Sequence, residues 1–174
     1  MKLIRNVYIF FIYWQDLYYV NVHVGAAEPL ILQAIRGQLV QGFTAKLENE
    51  QTVAPFNVAA SPKASGTASV FFEMAGTVAC FDVTIDAFDP ALGHIHNAAM
   101  GTNGPRIFNY SALKVDGVEG RFFGCQDISS ADIEGTVDDV KKLLMDPSMY
   151  YFDYHLSATE PDIFTSIRGQ LPSM

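Results

Sequence analysis

Apolar and polar residues alternate along several short segments of this chain. In the segment 78–85, Phe81, Val83 and Ile85 alternate with polar side chains. Because successive side chains of a strand point to opposite faces, this pattern predicts a half-buried β-strand whose three apolar residues face a core. Short runs bounded by glycine, proline and small polar residues predict further strands at 43–47, 66–72, 93–97 and 106–110.

A hairpin is predicted near the end of the chain, over residues 150–171. Its second strand ends in Ile-Arg-Gly-Gln-Leu at 167–171, and the turn lies around Glu160 and Pro161. Ile167 is predicted to face the core. One face of the first strand, predicted to be the core side, carries Tyr150, Phe152, Tyr154 and Leu156, and the other face carries Tyr151, Asp153 and His155.

One short helix is predicted before this hairpin. Thr136, with Asp139 three residues later, forms a capping pattern, and Pro147 lies just past the end. Val137, Val140 and Leu144 share one side of this helix. Short strands, turn signals and a lone helix together predict an all-β fold, an antiparallel Greek-key-like β-sandwich with one short helix.

The hairpin sequence occurs twice in the chain. Residues 18–39 align without a gap on residues 150–171, and 12 of the 22 aligned positions are identical. Chance does not produce such a match, so the second hairpin ends one complete repeat unit and the first ends a preceding unit. The sequence therefore predicts an N-terminal segment at 1–15, an orphan hairpin at 16–41 and a complete domain at 42–174.

The orphan hairpin is predicted to associate with other subunits. A two-stranded hairpin is marginal in water, and its open edges invite pairing with another sheet. We expect self-association by strand addition through residues 16–39, which gives a ring or an open filament. The predicted interface residues are Tyr18, Val20, Val22, His23, Ile35 and Leu39. Alternatively, the hairpin packs as extra strands on the sandwich of its own chain, or the sequence belongs to a longer protein whose preceding domain encloses the hairpin.

The segment 1–15 combines two positive charges with an apolar, aromatic-rich run at 7–14. This pattern resembles the start of a secretory signal, and an ordinary strand is the alternative. The run is far shorter than the ~20 residues that a membrane-spanning helix needs, so no transmembrane span is predicted.

Composition narrows the range of partners. The 174 residues are 49% apolar and 13% aromatic, which is enough to bury a core. The net charge of −8 argues against binding to a phosphate backbone through a basic face. Nucleic acid is therefore excluded as an expected partner.

Six short motifs follow one another along residues 42–171. They are Phe43-Thr44-Ala45-Lys46-Leu47, Gly66-Thr67-Ala68, Gly93-His94-Ile95-His96, Asn103-Gly104-Pro105, Tyr151 with His155, and Ile167-Arg168-Gly169-Gln170-Leu171. In this order they resemble the CHRD domain, a module named after chordin and found in secreted proteins. The resemblance implies a secreted β-sandwich with an extracellular or cell-surface location and no established catalytic activity.

Cys80 and Cys125 are the two cysteines of the chain. They are expected to form one disulfide if the protein is secreted and to remain two buried thiols if it is not. The family resemblance and the signal-like start both favour an oxidising compartment, so a disulfide is predicted. Its Cα atoms are expected about 4.4–6.8 Å apart.

Three histidines are candidate metal ligands. His94 and His96 occupy positions i and i+2 of a predicted strand, so both point from one face, as two imidazoles must to share a metal ion. His155, beside Asp153, completes a three-histidine site if the two strands are neighbours. In the alternative, the imidazoles hydrogen-bond to backbone or to Asp153 and hold loop geometry, and no cofactor is present.

Two further residues are candidates for a functional role, and several motifs of known enzymes are missing from the sequence. Arg168 is predicted on the polar face of its strand, either paired with Asp153 or exposed to solvent. Asn109 begins the one N-x-S/T sequon of the chain and is a candidate glycosylation site. The sequence contains no P-loop, GxGxxG or HExxH motif and no Ser-His-Asp order, so no enzyme activity is predicted.

Two functions are therefore predicted. The first is a secreted structural or interaction module, a subunit of an extracellular assembly or filament joined by strand addition. The alternative is a metal-binding β-sandwich protein of the Cu/Zn type that uses the His-x-His strand, with metal-dependent redox activity as a further alternative.

Overall fold

The computed structural model describes residues 19–23, 34–38, 41–59, 62–73, 76–128 and 134–173. The chain divides into two compact units, Met1–Val40 and Gln41–Met174. The predicted N-terminal segment 1–15, together with Tyr18 and Leu39 of the predicted interface, lies outside the described residues. No helix among the described residues is long and apolar enough to cross a membrane.

The first unit contains a two-stranded antiparallel sheet. Its strands are β1 (Tyr19–His23) and β2 (Ala34–Gln38). Tyr19 pairs with Gln38 and His23 pairs with Ala34. Within the repeated sequence, Tyr19–His23 and Ala34–Gln38 therefore pair as antiparallel strands.

The described residues of the second unit form a nine-stranded sheet and one α-helix. The strands are β3 (Gln41–Glu48), β4 (Val58–Ala59), β5 (Ser65–Phe72), β6 (Val78–Asp86), β7 (Leu92–Asn97), β8 (Arg106–Asn109), β9 (Arg121–Asp127), β10 (Tyr150–His155) and β11 (Thr165–Gln170). The helix α1 spans Val137–Met145, and single 3₁₀ turns lie at Asn49–Gln51, Ser111–Leu113, Pro147–Met149 and Asp162–Phe164. The strands lie in the order β8-β7-β10-β11-β3-β5-β6-β9, and β4 runs parallel to β11.

The sheet curls so that its two halves face each other across one core. Phe81 of β6 stacks on Tyr110, just after β8, with ring centroids 4.1 Å apart. Phe122 of β9 likewise meets Tyr154 of β10 at 5.4 Å. The halves join where β11 pairs with β3. The predicted all-β fold with one helix is confirmed, and its facing layers belong to one continuous sheet.

The core contains most of the residues that were predicted to be buried from the alternation of apolar and polar residues along the strands. Seven of the eight predicted strand positions are buried, namely Phe81, Val83, Ile85, Tyr150, Phe152, Tyr154 and Ile167. Leu156 was wrongly placed on the core side: β10 ends at His155, and the Leu156 side chain is 38% exposed. The strand β9 was not predicted, because the adjacent Phe122 and Phe123 hide the alternation between a buried and an exposed face.

The helix begins where its capping pattern predicts. The Thr136 hydroxyl accepts a hydrogen bond from the Asp139 backbone N–H at 3.1 Å, and the Asp139 carboxylate accepts one from the Thr136 backbone N–H at 3.1 Å. Val140 and Leu143 are the buried residues of α1. Leu143 was missed, and Val137 and Leu144 are only half-buried.

A disulfide joins β6 to β9. Cys80 and Cys125 lie directly opposite each other in these neighbouring antiparallel strands, and they are bonded. Their Cα atoms are 3.9 Å apart, which is shorter than the predicted range.

Both faces of β10 are buried, which the sequence did not predict. All six residues of Tyr150–His155 are buried. The face opposite the main core is covered by the segments 51–56 and 97–105. Asn103 donates a hydrogen bond to the carbonyl of Ala54 at 2.8 Å, and the Phe56 ring lies 5.4 Å from that of His155. A second, polar layer is therefore enclosed between the sheet and these loops.

Candidate metal site

The polar layer brings the three predicted histidines together. β7 and β10 are antiparallel neighbours, in a register that places His94 opposite Asp153 and His96 opposite Tyr151. Because residues two apart share a face, His155 lies on the same side as Asp153. One ring nitrogen from each of His94, His96 and His155 lies within 4.8 Å of those of the other two. This spacing is compatible with a single ion bound between them.

Two backbone carbonyls set the tautomers of His96 and His155. The Nδ1 atom of His96 lies 3.0 Å from the carbonyl oxygen of Gly104, and Nδ1 of His155 lies 2.8 Å from that of Ile163. A carbonyl can only accept, so each Nδ1 carries the proton and donates it. Both Nε2 atoms are therefore left with a free lone pair, as in histidines that bind metal ions.

His94 is held differently. Arg106 approaches its Nε2 atom at 3.4 Å, a long contact, while the Arg106 guanidinium makes two hydrogen bonds to Glu134, at 2.8 and 2.7 Å. The Nδ1 atom of His94 is buried and has no hydrogen-bond partner among the described residues, as is also true of Nε2 of His96. Buried polar atoms rarely remain without a partner, so these two nitrogens require an explanation.

Burial keeps the imidazoles neutral. The pKa of His94 is lowered to about 3, mainly by burial, with repulsion from His96, His155 and Arg106 acting in the same direction. Burial also lowers the pKa of His96 to about 4, against the hydrogen bond to Gly104, which raises it. The pKa of His155 is also lowered, again mainly by burial. Neutral imidazole is the form that coordinates a metal ion.

Asp153 lies beside these imidazoles. Its side chain is buried, and its Oδ2 atom is 3.7 Å from Nε2 of His155. Its Oδ1 atom has no hydrogen-bond partner among the described residues. Burial raises the pKa of Asp153 to about 8, although the charge of Arg168 and the backbone N–H of Tyr154 act in the opposite direction.

Arg168 closes the other side of the polar layer. It is 1% exposed, so the alternative of a solvent-exposed charge is wrong. Its guanidinium lies over the ring of Tyr151, 3.2 Å from the centroid, and donates hydrogen bonds to the Thr102 carbonyl at 2.8 Å and to Oδ1 of Asn103 at 3.3 Å. These hydrogen bonds go to the loop 97–105 instead of to Asp153, the partner suggested by the sequence.

Tyr151 and Gly104 connect this loop to the histidines. The Tyr151 ring stacks on that of His96, with centroids 5.1 Å apart, and its hydroxyl accepts a hydrogen bond from the Gly104 backbone N–H at 3.2 Å. A Cβ atom at Gly104 would overlap the carbonyl oxygen of Asn97. Only glycine therefore allows the loop to turn tightly enough for its carbonyl to reach His96.

The motif at 167–171 forms the wall between the core and the polar layer. Ile167 and Leu171 are buried in the core, and a Cβ atom at Gly169 would lie 2.6 Å from the carbonyl oxygen of Lys46. The Gln170 amide donates to the carbonyls of Ser148 at 2.7 Å and Tyr150 at 2.8 Å. Each residue of this motif is thus required by packing or by a hydrogen bond.

Comparison with protein families identifies this arrangement. The family model of the CHRD domain matches residues 43–171, almost the whole second unit. The chain belongs to the CHRD domain family. Neither the comparison with curated proteins nor that with solved structures gave a match. The predicted resemblance over 42–171 is confirmed, and the family indicates an extracellular binding module of a non-enzymatic class.

Of the other predicted site residues, Asn109 pairs with His94 in the register of β7 and β8. Asn109 is half-buried on β8, and its Oδ1 atom accepts hydrogen bonds from the Ser111 hydroxyl at 2.8 Å and the Ser111 backbone N–H at 3.2 Å. Glycosylation at this position stays a prediction. The interface residues within the described strands are Val20, Val22 and His23 on β1 and Ile35 on β2.

The sequence named Asp153 only as a hydrogen-bond partner of the imidazoles or of Arg168, and it gave Tyr151 no role in the site. A signal for them was present in the alternation of β10, where Tyr151, Asp153 and His155 share one face. That face was expected to meet solvent. The loops that bury it are remote in sequence, so no local pattern marked these residues as part of a closed site.

Proposed function

We propose that this CHRD protein is a secreted binding module that holds a transition-metal ion at His94, His96 and His155. The family supports an extracellular location and a binding role. A bound ion would tie β7 to β10 beneath the loop 97–105. It would therefore stabilise the surface that this loop presents to a partner.

One observation carries the proposal: three neutral imidazoles converge in a buried layer, with ring nitrogens that lack hydrogen-bond partners among the described residues. The two ring nitrogens without a partner are Nδ1 of His94 and Nε2 of His96. The tautomer of His155 adds a further lone pair on Nε2. Imidazole nitrogens are good ligands for Zn²⁺ and Cu²⁺, and two of the three rings are oriented by backbone carbonyls, as in established metal sites.

We expect the purified full-length chain, after treatment with EDTA, to bind Zn²⁺ at a single site in isothermal titration calorimetry. His96→Ala should weaken binding by at least about 100-fold, because it removes one of three ligands. The matched control is His23→Ala, the same substitution at the fourth histidine of the chain, which should leave the affinity unchanged. Absence of binding by the unaltered protein, or equal losses in the two variants, would contradict the proposal.

A second candidate function, self-association through residues 16–39, rests on the register of the first hairpin. Tyr19 pairs with Gln38 on β1 and β2, and Tyr151 pairs with Gln170 on β10 and β11. All five pairs of β1 and β2 correspond in this way to pairs of β10 and β11. In the second unit that hairpin is bordered by β7 on one side and by β3 and β4 on the other. The two-stranded sheet of β1 and β2 offers edges of the same kind, which supports strand addition between copies.

Deleting residues 1–40 should convert the assembly to a monomer without unfolding the CHRD domain. The deletion removes the edges that strand addition would use and leaves the nine-stranded sheet with its own core. Light scattering of the full chain and of the deletion variant measures the mass, and circular dichroism checks the fold. A full chain that is already monomeric, or a folded variant that keeps the mass per assembly of the full chain, would rule out this interface.

A further inference from the structure

We infer that the ion at the three histidines keeps one coordination position open, and that a small anion binds there, favoured by the positive charges of Arg106 and Arg168. This inference rests on the proposed metal-binding function and names the class of ligand that the site takes. It separates the site from a closed structural one, in which the protein supplies every ligand.

The chain supplies three ligands to the ion. Among the described residues, the ligand atoms that converge within 4.8 Å belong to His94, His96 and His155. The carboxyl oxygens of Asp153 are not among these atoms, and its Oδ2 atom lies 3.7 Å from Nε2 of His155. Zinc sites with three protein ligands complete their tetrahedron with water or a substrate. A fourth position is therefore left for a ligand from outside the chain.

The enclosure of the histidines favours a small ligand. Nδ1 of His94 and Nε2 of His96 are both buried atoms. The loop 97–105 lies against these rings, and the carbonyl oxygen of its Gly104 is 3.0 Å from Nδ1 of His96. This loop stands between the ion and the side chains of any partner protein.

The polar layer approaches the surface at β8. His96 is half-buried, and in the register of β7 and β8 it pairs with Arg106, which is exposed. Because paired residues of neighbouring strands share a face of the sheet, Arg106 lies on the side that carries His96. Its Nη1 atom is 3.4 Å from Nε2 of His94. We therefore expect a small ligand to enter beside Arg106.

Positive charges lie on two sides of the imidazoles. Arg106 contacts His94 from β8, as described above. On the other side, the Arg168 guanidinium lies 3.2 Å from the centroid of the Tyr151 ring, and that ring stacks on His96 with centroids 5.1 Å apart. Both guanidinium groups raise the electrostatic potential at the site, which favours a negatively charged ligand.

The neighbouring acidic groups do not cancel the charge of the ion. Glu134 pairs with Arg106, and Asp153 is buried near His155. If both carboxyl groups are ionised, they balance the two arginines. Imidazoles are neutral ligands, so both charges of a divalent ion then remain uncompensated, and an anion in the open position would offset one of them.

Cobalt reports the open position directly. We expect the full-length chain, after treatment with EDTA, to bind Co²⁺ at a single site, and added azide to change its visible absorption spectrum in a saturable way. Perchlorate at the same ionic strength is the control anion, and it should leave the spectrum unchanged because it coordinates metal ions weakly. A cobalt spectrum that azide does not alter would overturn the inference.

Competing carboxylates test the size of the ligand. Formate has three heavy atoms, whereas benzoate carries the same carboxylate on an aromatic ring. We expect formate to displace azide from the cobalt form and benzoate to do so much less well, because the covering loop excludes the ring. Equal competition by the two would contradict a site restricted to small anions and would favour the carboxylate of a partner protein.

The variant Arg106→Leu tests the contribution of charge without altering a histidine. We expect it to weaken azide binding by about 2- to 5-fold and to leave Co²⁺ binding at least as tight. Arg121→Leu, at a partly exposed arginine on β9 that pairs with Asp82, is the matched control and should bind azide as the unaltered protein does. Equal azide affinities in the two variants would contradict the role of Arg106.

The outcomes separate this inference from the function on which it rests. If the unaltered protein binds neither Zn²⁺ nor Co²⁺, the metal-binding function itself is wrong. If it binds Co²⁺ through the histidines but azide leaves the spectrum unchanged, then only the open coordination position is overturned.

Discussion

Replacing Phe152 by alanine will lower the free energy of unfolding by about 3–5 kcal/mol. Phe152 has no exposed surface and lies in β10, at the centre of its half of the sheet. Its ring packs against those of Tyr110 and Tyr154, with centroids 6.3 and 6.4 Å away. The substitution removes these contacts and leaves a cavity, because paired strands on both sides prevent β10 from moving inwards. Urea unfolding of the oxidised full-length chain measures the loss.

Phe123→Ala is the matched control for this prediction. Phe123 lies on β9, and its side chain is 60% exposed. The Arg121 guanidinium lies 5.1 Å from its ring centroid. We expect the control to cost less than about 1 kcal/mol. Equal losses at the two positions would show that the inner face of β10 is not part of the core.

Replacing Arg168 by leucine will also cost about 3–5 kcal/mol. Arg168 is completely enclosed, and its guanidinium joins β11 to the loop through Thr102 and Asn103 while it covers the ring of Tyr151. Leucine has a similar apolar stem but no donors. The Thr102 carbonyl and Oδ1 of Asn103 would then lose their hydrogen-bond donor, and the buried Asp153 would lose the positive charge that lowers its pKa.

Two further variants show whether hydrogen-bond geometry or charge accounts for this loss. Arg168→Lys keeps the charge but not the planar fork that reaches two acceptors, so we expect it to recover only part of the stability. Arg106→Leu removes a half-exposed arginine paired with Glu134 and should cost no more than about 1 kcal/mol. Urea unfolding of the three variants is the measurement. A loss in Arg168→Leu no larger than that in Arg106→Leu would contradict the role assigned to the buried guanidinium.

The core strands could be predicted from the sequence because their burial has a simple period. Phe81, Val83 and Ile85 alternate with polar residues, and a shift of one residue would turn all three towards water. The helix α1 could be predicted for a similarly local reason, since Thr136 and Asp139 satisfy each other's backbone donors. The strand β9 could not, because its two adjacent phenylalanines point to opposite faces.

The candidate site was predictable only in part. His94 and His96 are two residues apart on one strand, so their common orientation follows from the sequence alone. Their meeting with His155 depends on the pairing of β7 with β10, which brings together residues about sixty positions apart. No local pattern in the sequence indicates which strands become neighbours in the sheet.

By itself, the sequence determined the family, the repeated hairpin, the alternating core and the three histidines as candidate ligands, because each depends on residue order or on the period of a single strand. Only the tertiary structure decided that the second face of β10 is buried, that Arg168 binds the loop at Thr102 and Asn103, and that Asp153 is buried beside His155. The physical reason is that burial and desolvation depend on segments distant in the chain. Alternation predicts that the polar face of β10 is exposed to solvent. The loops at 51–56 and 97–105 cover this face and enclose it as a polar layer.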